Sequence, residues 1–315
     1  MMKEIRFLKI NLSVGEISTL EINPDLIGGK KLALELICPS DPLSESNMLA
    51  IATGPFTGKK GIPHGGRFAV ATYGIDGTRS VSSTGGRFGI ALKLIGYDGL
   101  LIEGKAKDLS YISIDGSKVE ILDAPYLKGT NVSECKKSLS DGRSIIACIG
   151  PAGEMLSPLS VILFDDSPAG RNGFGAVMGS KNLKAIKLST NEVVNDPCLE
   201  CPVKCEKRLN DHWEKAGITF MKHIGDKETV RKFVNLCNDL GVDSLRAGEI
   251  IEHPPKDTKE LLDLLKNVQT RLSRVHEDPV KDMMDTFGFC AFSYGTFKVE
   301  DYLRIVRKSG FDFRI

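Results

Sequence analysis

The sequence predicts an α+β chain, with a β-rich portion over residues 1–192 and a helical portion over 193–315. Three observations carry that expectation. Glycines and β-branched residues, broken by turn signals, dominate as far as about residue 190. Beyond that point apolar residues recur at helical spacing between capping residues. The change of habit falls at a tight cysteine cluster, Cys198, Cys201 and Cys205.

Taken in order, the opening MMKEIRFLKINLSVGE alternates apolar and polar residues and reads as a first strand, not a signal peptide. KLALELICP, RFAVATYG, GLLIEGKA, SYISIDGSKVEIL, SIIACIG, LSVILFDD and LKAIKL read as further strands. Asp115-Gly116 turns a hairpin within the fourth of these. RFGIALKLIG and VSECKKSLS read as helices. In the second portion, DKETVRKFVNLCNDLG places Val230, Phe233, Val234 and Cys237 on one face and stops at Gly241, a left-handed cap. DTKELLDLLKNVQTRLSRV repeats the period, opening on Asp257 and Thr258 as caps with Glu260 in the first turn. VEDYLRIVRKSG reads as a short last helix.

Composition excludes several classes. The 42 Lys and Arg against 41 Asp and Glu leave no basic excess for nucleic acid and no acidic tail. No run approaches the ~20 apolar residues that span a bilayer. The expected setting is cytoplasmic, with no nucleic acid and no membrane as partner. Eight cysteines without a signal peptide fit a reducing compartment better than a disulfide framework. Cys38, Cys135, Cys148 and Cys237 lie in apolar or mixed stretches and read as small buried hydrophobes.

Gly-Gly-Arg-Phe occurs twice, in HGGRFAVATYG and TGGRFGIALKLIG. Duplicated turn chemistry accounts for it as well as a paired approach to an anionic ligand, in which the glycines admit phosphate and the arginines donate. PAGRNGFGAVMGSKNLKAIKL crowds Gly170, Gly173 and Gly175 together but lacks the G-x-G-x-x-G order and the unit that accompanies it. A dinucleotide fold is therefore excluded. Arg171 is a candidate phosphate contact there, and Lys181 or Lys184 is either a second one or solvated.

CLECPVKC holds one thiolate fewer than most closed metal sites require. It has a single CxxC pair, and His212 and His223 come after it at no recurrent zinc spacing. An iron–sulfur cluster, with three local thiolates and a distant fourth, suits it better, and Pro202 helps keep the loop non-helical. The fourth ligand is sought at Cys237 or Cys290. Cys237 falls on the apolar face of a helix, so Cys290, in DTFGFCAF beside Gly288, is favoured.

GGRFAV, TGGRFGIALKLIGYDGLLIEGKA, CIGPAGE, AGRNGFGAVMGSKNLKAI, CLECPVKC, LCNDLGVDSLRAG and DTFGFCAF succeed one another in that order. Together they resemble the tungsten- or molybdenum-pterin aldehyde ferredoxin oxidoreductase family. The resemblance implies a β base carrying a tungsten or molybdenum bis-pterin, its phosphates bridged by magnesium. Arg67 matches a cofactor-contacting arginine. Ser83, Thr84, Gly85 and Gly86 match a loop beside the phosphates, and Arg171 with Asn172 match a second cofactor loop. Asp239, Gly241 and Asp243 match the pattern that binds one pterin, and Asp285 with Gly288 the pattern for the other. Cys198, Cys201, Cys205 and Cys290 match the four thiolates of a [4Fe–4S] cluster. The residue types suit that chemistry: phosphates need arginine forks and bare N–H groups, and pterin rings need carboxylate acceptors. The implied activity is oxidation of an aldehyde or other oxo group, with electrons leaving through the cluster to ferredoxin or another acceptor.

Two regions depart from that pattern. Only a short gap separates Gly248 from Asp285, where relatives carry a large helical region around the substrate, and little chain remains after Cys290. The helical portion is therefore expected to be shortened. The acidic segment that comes after the cluster in relatives corresponds to KAGITFMKHIG, which lacks those carboxylates, and no residue is assigned as catalytic acid or base. His253 and His276 match no motif and read as surface histidines. The expectation is an oxidoreductase whose exposed cofactor face is covered by a homodimer mate or a partner subunit. The alternative is a non-catalytic or electron-transfer subunit that keeps the cluster.

Overall fold

A computed structural model describes residues 4–23, 25, 27–62, 65–199, 201, 203, 226–251, 253–266, 268, 278–290 and 298–311. It begins with two six-stranded sheets of identical connectivity. In the first, β1 (Ile5–Asn11) and β2 (Glu16–Ile22) form a hairpin, and α1 (Gly29–Glu35) leads to β3 (Leu49–Thr53). A second hairpin, β4 (Phe68–Tyr73) and β5 (Arg79–Thr84), precedes α2 (Phe88–Leu94) and β6 (Gly99–Glu103). β6 inserts parallel to β1 and antiparallel to β3, giving the order β2-β1-β6-β3-β4-β5.

The second sheet repeats this plan. β7 (Ser110–Asp115) and β8 (Lys118–Asp123) form the hairpin, and α3 (Val132–Leu139) leads to β9 (Ser144–Cys148). After the short α4 (Pro151–Glu154) come β10 (Ile162–Phe164), β11 (Ser167–Ala169), α5 (Phe174–Ser180) and β12 (Leu183–Ser189). β12 inserts parallel to β7 and antiparallel to β9, just as β6 does.

Strand alternation sorts side chains between two faces. Leu49 and Ile51 of β3, with Ile145 and Ala147 of β9, enter a core shared by both sheets. Phe68, Phe88 and Phe164 fill its middle, with ring centroids 4.9 to 5.8 Å apart. The alternate residues face outward. Ala50, Ala52, Ala69 and Ala71 make a shallow bed for α1, while Ile146, Cys148 and Leu163 receive Val132, Cys135 and Leu139 of α3.

The later helices are α6 (Lys227–Leu240), α7 (Ser244–Ile250), α8 (Thr258–Lys266), α9 (Pro279–Phe287) and α10 (Val299–Lys308). Asp226 caps α6, accepting from the N–H groups of Glu228 and Thr229, and Asp278 caps α9 ahead of Pro279. Both helices end on a left-handed glycine, Gly241 at φ 71° and Gly288 at φ 88°. α6, α7 and α8 bury their apolar faces with Ala152 and Leu159, beside the second sheet. α9 and α10 bury theirs with Phe56, beside the first.

Several sequence expectations change. KLALELICP is not a strand: Gly29–Glu35 is helical, and Leu32 and Ala33 bury on the alanine bed. Cys38 is exposed just beyond α1, whereas Cys135, Cys148 and Cys237 are buried as expected. The hairpin at Gly116 is present, with Asp115 paired to Lys118. Of DTKELLDLLKNVQTRLSRV the helix covers Thr258–Lys266, and most of the remaining stretch lies outside the described residues. Among the described residues no helix is long and apolar enough to cross a membrane.

Candidate functional site

The two left-handed glycines dock on equivalent turns. β3 runs into Gly54-Pro55, and β9 into Ile149-Gly150-Pro151. A Cβ on Gly54 would stand 2.4 Å from the Phe287 carbonyl carbon, and one on Gly150 would stand 2.3 Å from that of Leu240. Only glycine permits this approach. Phe56 N–H donates to the Phe287 carbonyl at 3.0 Å, and Val161 N–H to the Gly241 carbonyl at 2.9 Å. Thr57 Oγ1 locks the first turn, accepting from Gly54 N–H at 2.9 Å and donating to the Arg67 carbonyl at 2.5 Å. Flanking links differ between the halves. Lys30 of α1 pairs with Asp282 of α9, while Ser133 N–H of α3 donates to Asp239 Oδ1 of α6 at 2.9 Å. Aligned on Gly241 and Gly288, Asn238 takes the place of Asp285, and Asp243 that of Cys290.

Among the described residues, the buried side-chain polar atoms without a hydrogen-bond partner are Arg67 Nε, Ser83 Oγ, Asp243 Oδ2 and Asp285 Oδ1. Each belongs to a residue that the sequence marks for cofactor binding, and contacts link them into one arc. Asp285 lies in the last turn of its helix, whose cap is Gly288, where a Cβ would stand 2.8 Å from Thr57 Oγ1 and 3.4 Å from the Arg67 carbonyl. Arg67 Nη2 donates to the Ser83 carbonyl at 3.1 Å. Thr84 Oγ1 donates to the Pro168 carbonyl at 3.1 Å, joining β5 to β11 across the seam between the sheets. Arg171 Nε, a short step along the chain, lies 3.7 Å from Asp243 Oδ2, beyond hydrogen-bonding reach. The other oxygen of Asp243 caps α7, accepting from Leu245 N–H at 3.1 Å and Arg246 N–H at 3.4 Å. Burial holds the Asp243 carboxyl above its ordinary range, against the pull of Arg171. An unpaired buried polar atom costs about 1–3 kcal/mol. Such a cost, repeated along one arc, makes the arc the candidate seat of a polar ligand.

The remaining expected residues divide between this arc and the scaffold. Gly65-Gly66 and Gly85-Gly86 flank the β4–β5 ladder, and a Cβ on Gly66 would stand 2.3 Å from the Gly86 carbonyl oxygen. The repeated motif therefore meets itself in space, but its arginines part. Arg67 turns into the arc, while Arg87 makes a two-pronged pair with Asp165 at 2.6 and 2.9 Å, which holds its guanidinium above the usual range. Asn172 is spent on the β4–β5 turn: its Nδ2 donates to Asp76 and to Ser80 at 2.7 Å, and its Oδ1 accepts from Asp76 N–H. Asp239 Oδ1 accepts from Ser133 N–H of α3. Lys181 and Lys184 are fully buried, neither solvated nor on the arc. Lys184 pairs with Glu154 and donates to the Thr130 carbonyl. Lys181 donates to the carbonyls of Glu45 and Gly104, and burial pulls its pKa down to about 8.

Cys198 and Cys201 are half-buried, Cys290 is buried, and Cys205 lies outside the described residues. A Cβ on Gly66 would stand 2.6 Å from Pro197 Cγ, and one on Gly288 would stand 3.4 Å from the Arg67 carbonyl. The segments carrying Cys198 and Cys290 thus both come close to Gly66-Arg67. Among the described residues no group of three or more His, Cys, Asp or Glu side chains is gathered to hold a metal. His253 is exposed, and His212, His223 and His276 lie outside the described residues. Sequence reading missed Thr57 and the paired turns; the signal for the latter was Gly-Pro recurring after a buried apolar run.

The family model for the N-terminal domain of aldehyde ferredoxin oxidoreductase matches residues 7–190. A tungsten-containing aldehyde ferredoxin oxidoreductase of Pyrococcus furiosus is 42% identical over 60% of this chain and 34% of its own length. That of Thermococcus kodakarensis is 41% identical over 82% of this chain and 45% of its own. The WOR-like subunit of an aliphatic sulfonate oxidoreductase from Pyrococcus furiosus is 30% identical over 58% and 33%. Among solved structures, the active site complex BamBC of benzoyl coenzyme A reductase, in complex with 1,5-dienoyl-CoA, superposes with a TM-score of 0.56. It is 28% identical, and the match covers 72% of this chain and 36% of that one. The chain spans between a third and just under half of the length of these relatives.

Proposed function

Since the chain belongs to the aldehyde ferredoxin oxidoreductase family, we propose that it is an oxidoreductase seating a tungsten pterin cofactor in the arc between its two sheets. The observation that carries this reading is the set of unpartnered buried atoms, Arg67 Nε, Ser83 Oγ, Asp243 Oδ2 and Asp285 Oδ1. Their chemistry fits the group. Arg67 and Ser83 donate towards phosphate, and the two carboxylates accept from pterin ring N–H groups. When bound, the tungsten pterin supplies two-electron redox chemistry at the substrate carbon. The residues of the chain bind and orient: Gly241 and Gly288 bring Asp243 and Asp285 to the two sides, and Arg171 adds positive charge beside Asp243. Magnesium would supply further positive charge to the cofactor phosphates, beside the donors Arg67 and Arg171.

Cys198, Cys201, Cys205 and Cys290 would hold a [4Fe–4S] cluster, and the segments carrying Cys198 and Cys290 come close to Gly66 and Arg67, beside the donors of the arc. Such a cluster would supply single-electron transfer to ferredoxin or an equivalent acceptor, and the substrate is an aldehyde or related oxo compound. The tungsten-containing relatives support that substrate class. A partner subunit covers the open side of the arc, a reading supported by relatives described as a subunit and as a complex.

Anaerobic purification and metal analysis test the reading. Tungsten or molybdenum together with about four irons per chain is the expected result. Iron alone, or neither metal after anaerobic reconstitution, rejects the oxidoreductase assignment. Cys290→Ala is expected to lose iron, and unchanged iron content would reject that ligand.

A further inference from the structure

Both docking turns close through the same backbone hydrogen bond. Thr57 N–H donates to the Gly54 carbonyl at 3.1 Å, and Gly153 N–H to the Gly150 carbonyl at 3.0 Å. Counted from the turn glycine, Gly153 holds the place of Thr57. The second half therefore makes its turn with no hydroxyl at all. The Thr57 side chain, only 2% exposed, serves something particular to the first half.

Its contacts say what that is. Thr57 Oγ1 spends its one proton on the Arg67 carbonyl and accepts from Gly54 N–H. It also lies nearest the site of a Cβ on Gly288, with the Arg67 carbonyl next to it, whereas a Cβ on Gly241 would meet the Gly150 backbone nitrogen first, at 2.7 Å. One cap glycine thus rests on backbone, and the other on a hydroxyl that is bonded to Arg67. Arg67 immediately precedes β4, and Val161 immediately precedes β10. Val161 has no donor in its side chain, and its N–H is used on the Gly241 carbonyl. The arginine and the hydroxyl occur together in one half and are both missing from the other. Arg67 is held at two points, its main chain by Thr57 and its guanidinium by the Ser83 carbonyl, and its buried Nε remains unpartnered.

We propose, on the reading of the arc as a cofactor seat, that Thr57 is a positioning residue for Arg67. Its hydroxyl fixes the main chain of the arginine against the cap of α9, so that Nε–H is presented to a phosphate-type anion in the arc. A hydrogen bond at the root of a long side chain limits its swing, and a donor already in place loses less freedom on binding.

Two substitutions separate the hydroxyl from the methyl, which packs towards Gly89 of α2. Thr57→Val keeps the methyl and deletes the hydroxyl; Thr57→Ser does the reverse. Ile112→Val, in the core under the second sheet, controls for general destabilisation. Each full chain is purified anaerobically from cells supplied with tungstate, and its tungsten and iron are measured. Thr57→Val should retain about tenfold less tungsten than wild type, with iron unchanged. Thr57→Ser and Ile112→Val should match wild type. Phenylglyoxal labelling with peptide mapping reads the arginine itself. Arg67 should react several-fold faster in Thr57→Val and at the wild-type rate in Thr57→Ser, while Arg87, held by Asp165, stays constant as a reference. Labelling needs no bound metal, so it decides the positioning role even if wild type carries no tungsten, a result that would sink the cofactor assignment instead. Wild-type tungsten or an unchanged Arg67 labelling rate in Thr57→Val overturns the proposal. So does an equal loss of tungsten in Thr57→Ser or Ile112→Val, or a loss of iron alongside tungsten, which would place the effect at Cys290.

Discussion

At Asp243 the requirements of stability and of ligand binding oppose each other. In the ligand-free chain, burial raises this carboxyl, so the folded state holds a proton that the unfolded state releases above its lower pKa. Stability from this group therefore falls as pH rises through the raised folded value. Asp243→Asn keeps a capping oxygen for α7 and removes the buried charge. It should stabilise the ligand-free protein at neutral pH by about 1–3 kcal/mol, read by chemical denaturation, while lowering retained tungsten. Lys181 has the opposite sign. With its folded pKa near 8 against 10.5 unfolded, the unfolded chain binds more protons between those values, and stability should climb as pH rises through that window. Lys181→Met should flatten that climb in pH-dependent denaturation curves. Removing one member of the buried Lys184–Glu154 pair strands the other, so Glu154→Ala is expected to cost about 3–5 kcal/mol. The residue scale was only partly legible in the sequence. Arg67, Asp243 and Asp285 stood out because their motifs did. Lys184 and Asn172 sat in equally suggestive stretches, but their partners, Glu154 and Asp76, are distant along the chain and left no local signal.

Among the elements, capped amphipathic helices were readable and short buried ones were not. α6 declares itself through Asp226, its apolar face and Gly241. α1 does not: Leu32, Leu34 and Leu36 in KLALELICP alternate as a strand would. The alanine bed opposite decides the matter, a tertiary fact that leaves room for a helix and none for larger strand side chains. The docking turns were hidden for a similar reason, since two glycines separated by nearly a hundred residues look unrelated until their partners are seen. Gly54→Ala forces a Cβ against the Phe287 backbone and should release α9 from its turn. Faster amide exchange throughout Pro279–Phe287, with β7 to β12 unaffected, is the expected pattern by hydrogen-exchange mass spectrometry.

For the molecule as a whole, the sequence disclosed a β-rich portion and then helices but not that the β-rich portion is one plan built twice. Identical topology needs only matching turn geometry and apolar alternation, which many residue choices satisfy, so the duplication leaves little trace in residue identity. It has a consequence for how the chain reaches its native state. Because the Gly54 and Gly150 turns accept the same kind of helix end, each half offers a berth to the other half's helix, and an exchanged arrangement would be a kinetic trap. The flanking contacts act as addresses. In the exchanged arrangement Lys30 would meet Asn235, the residue at the corresponding place relative to Gly241, and would lose its ion pair with Asp282. Specificity of assembly thus falls to Lys30, a side chain on α1.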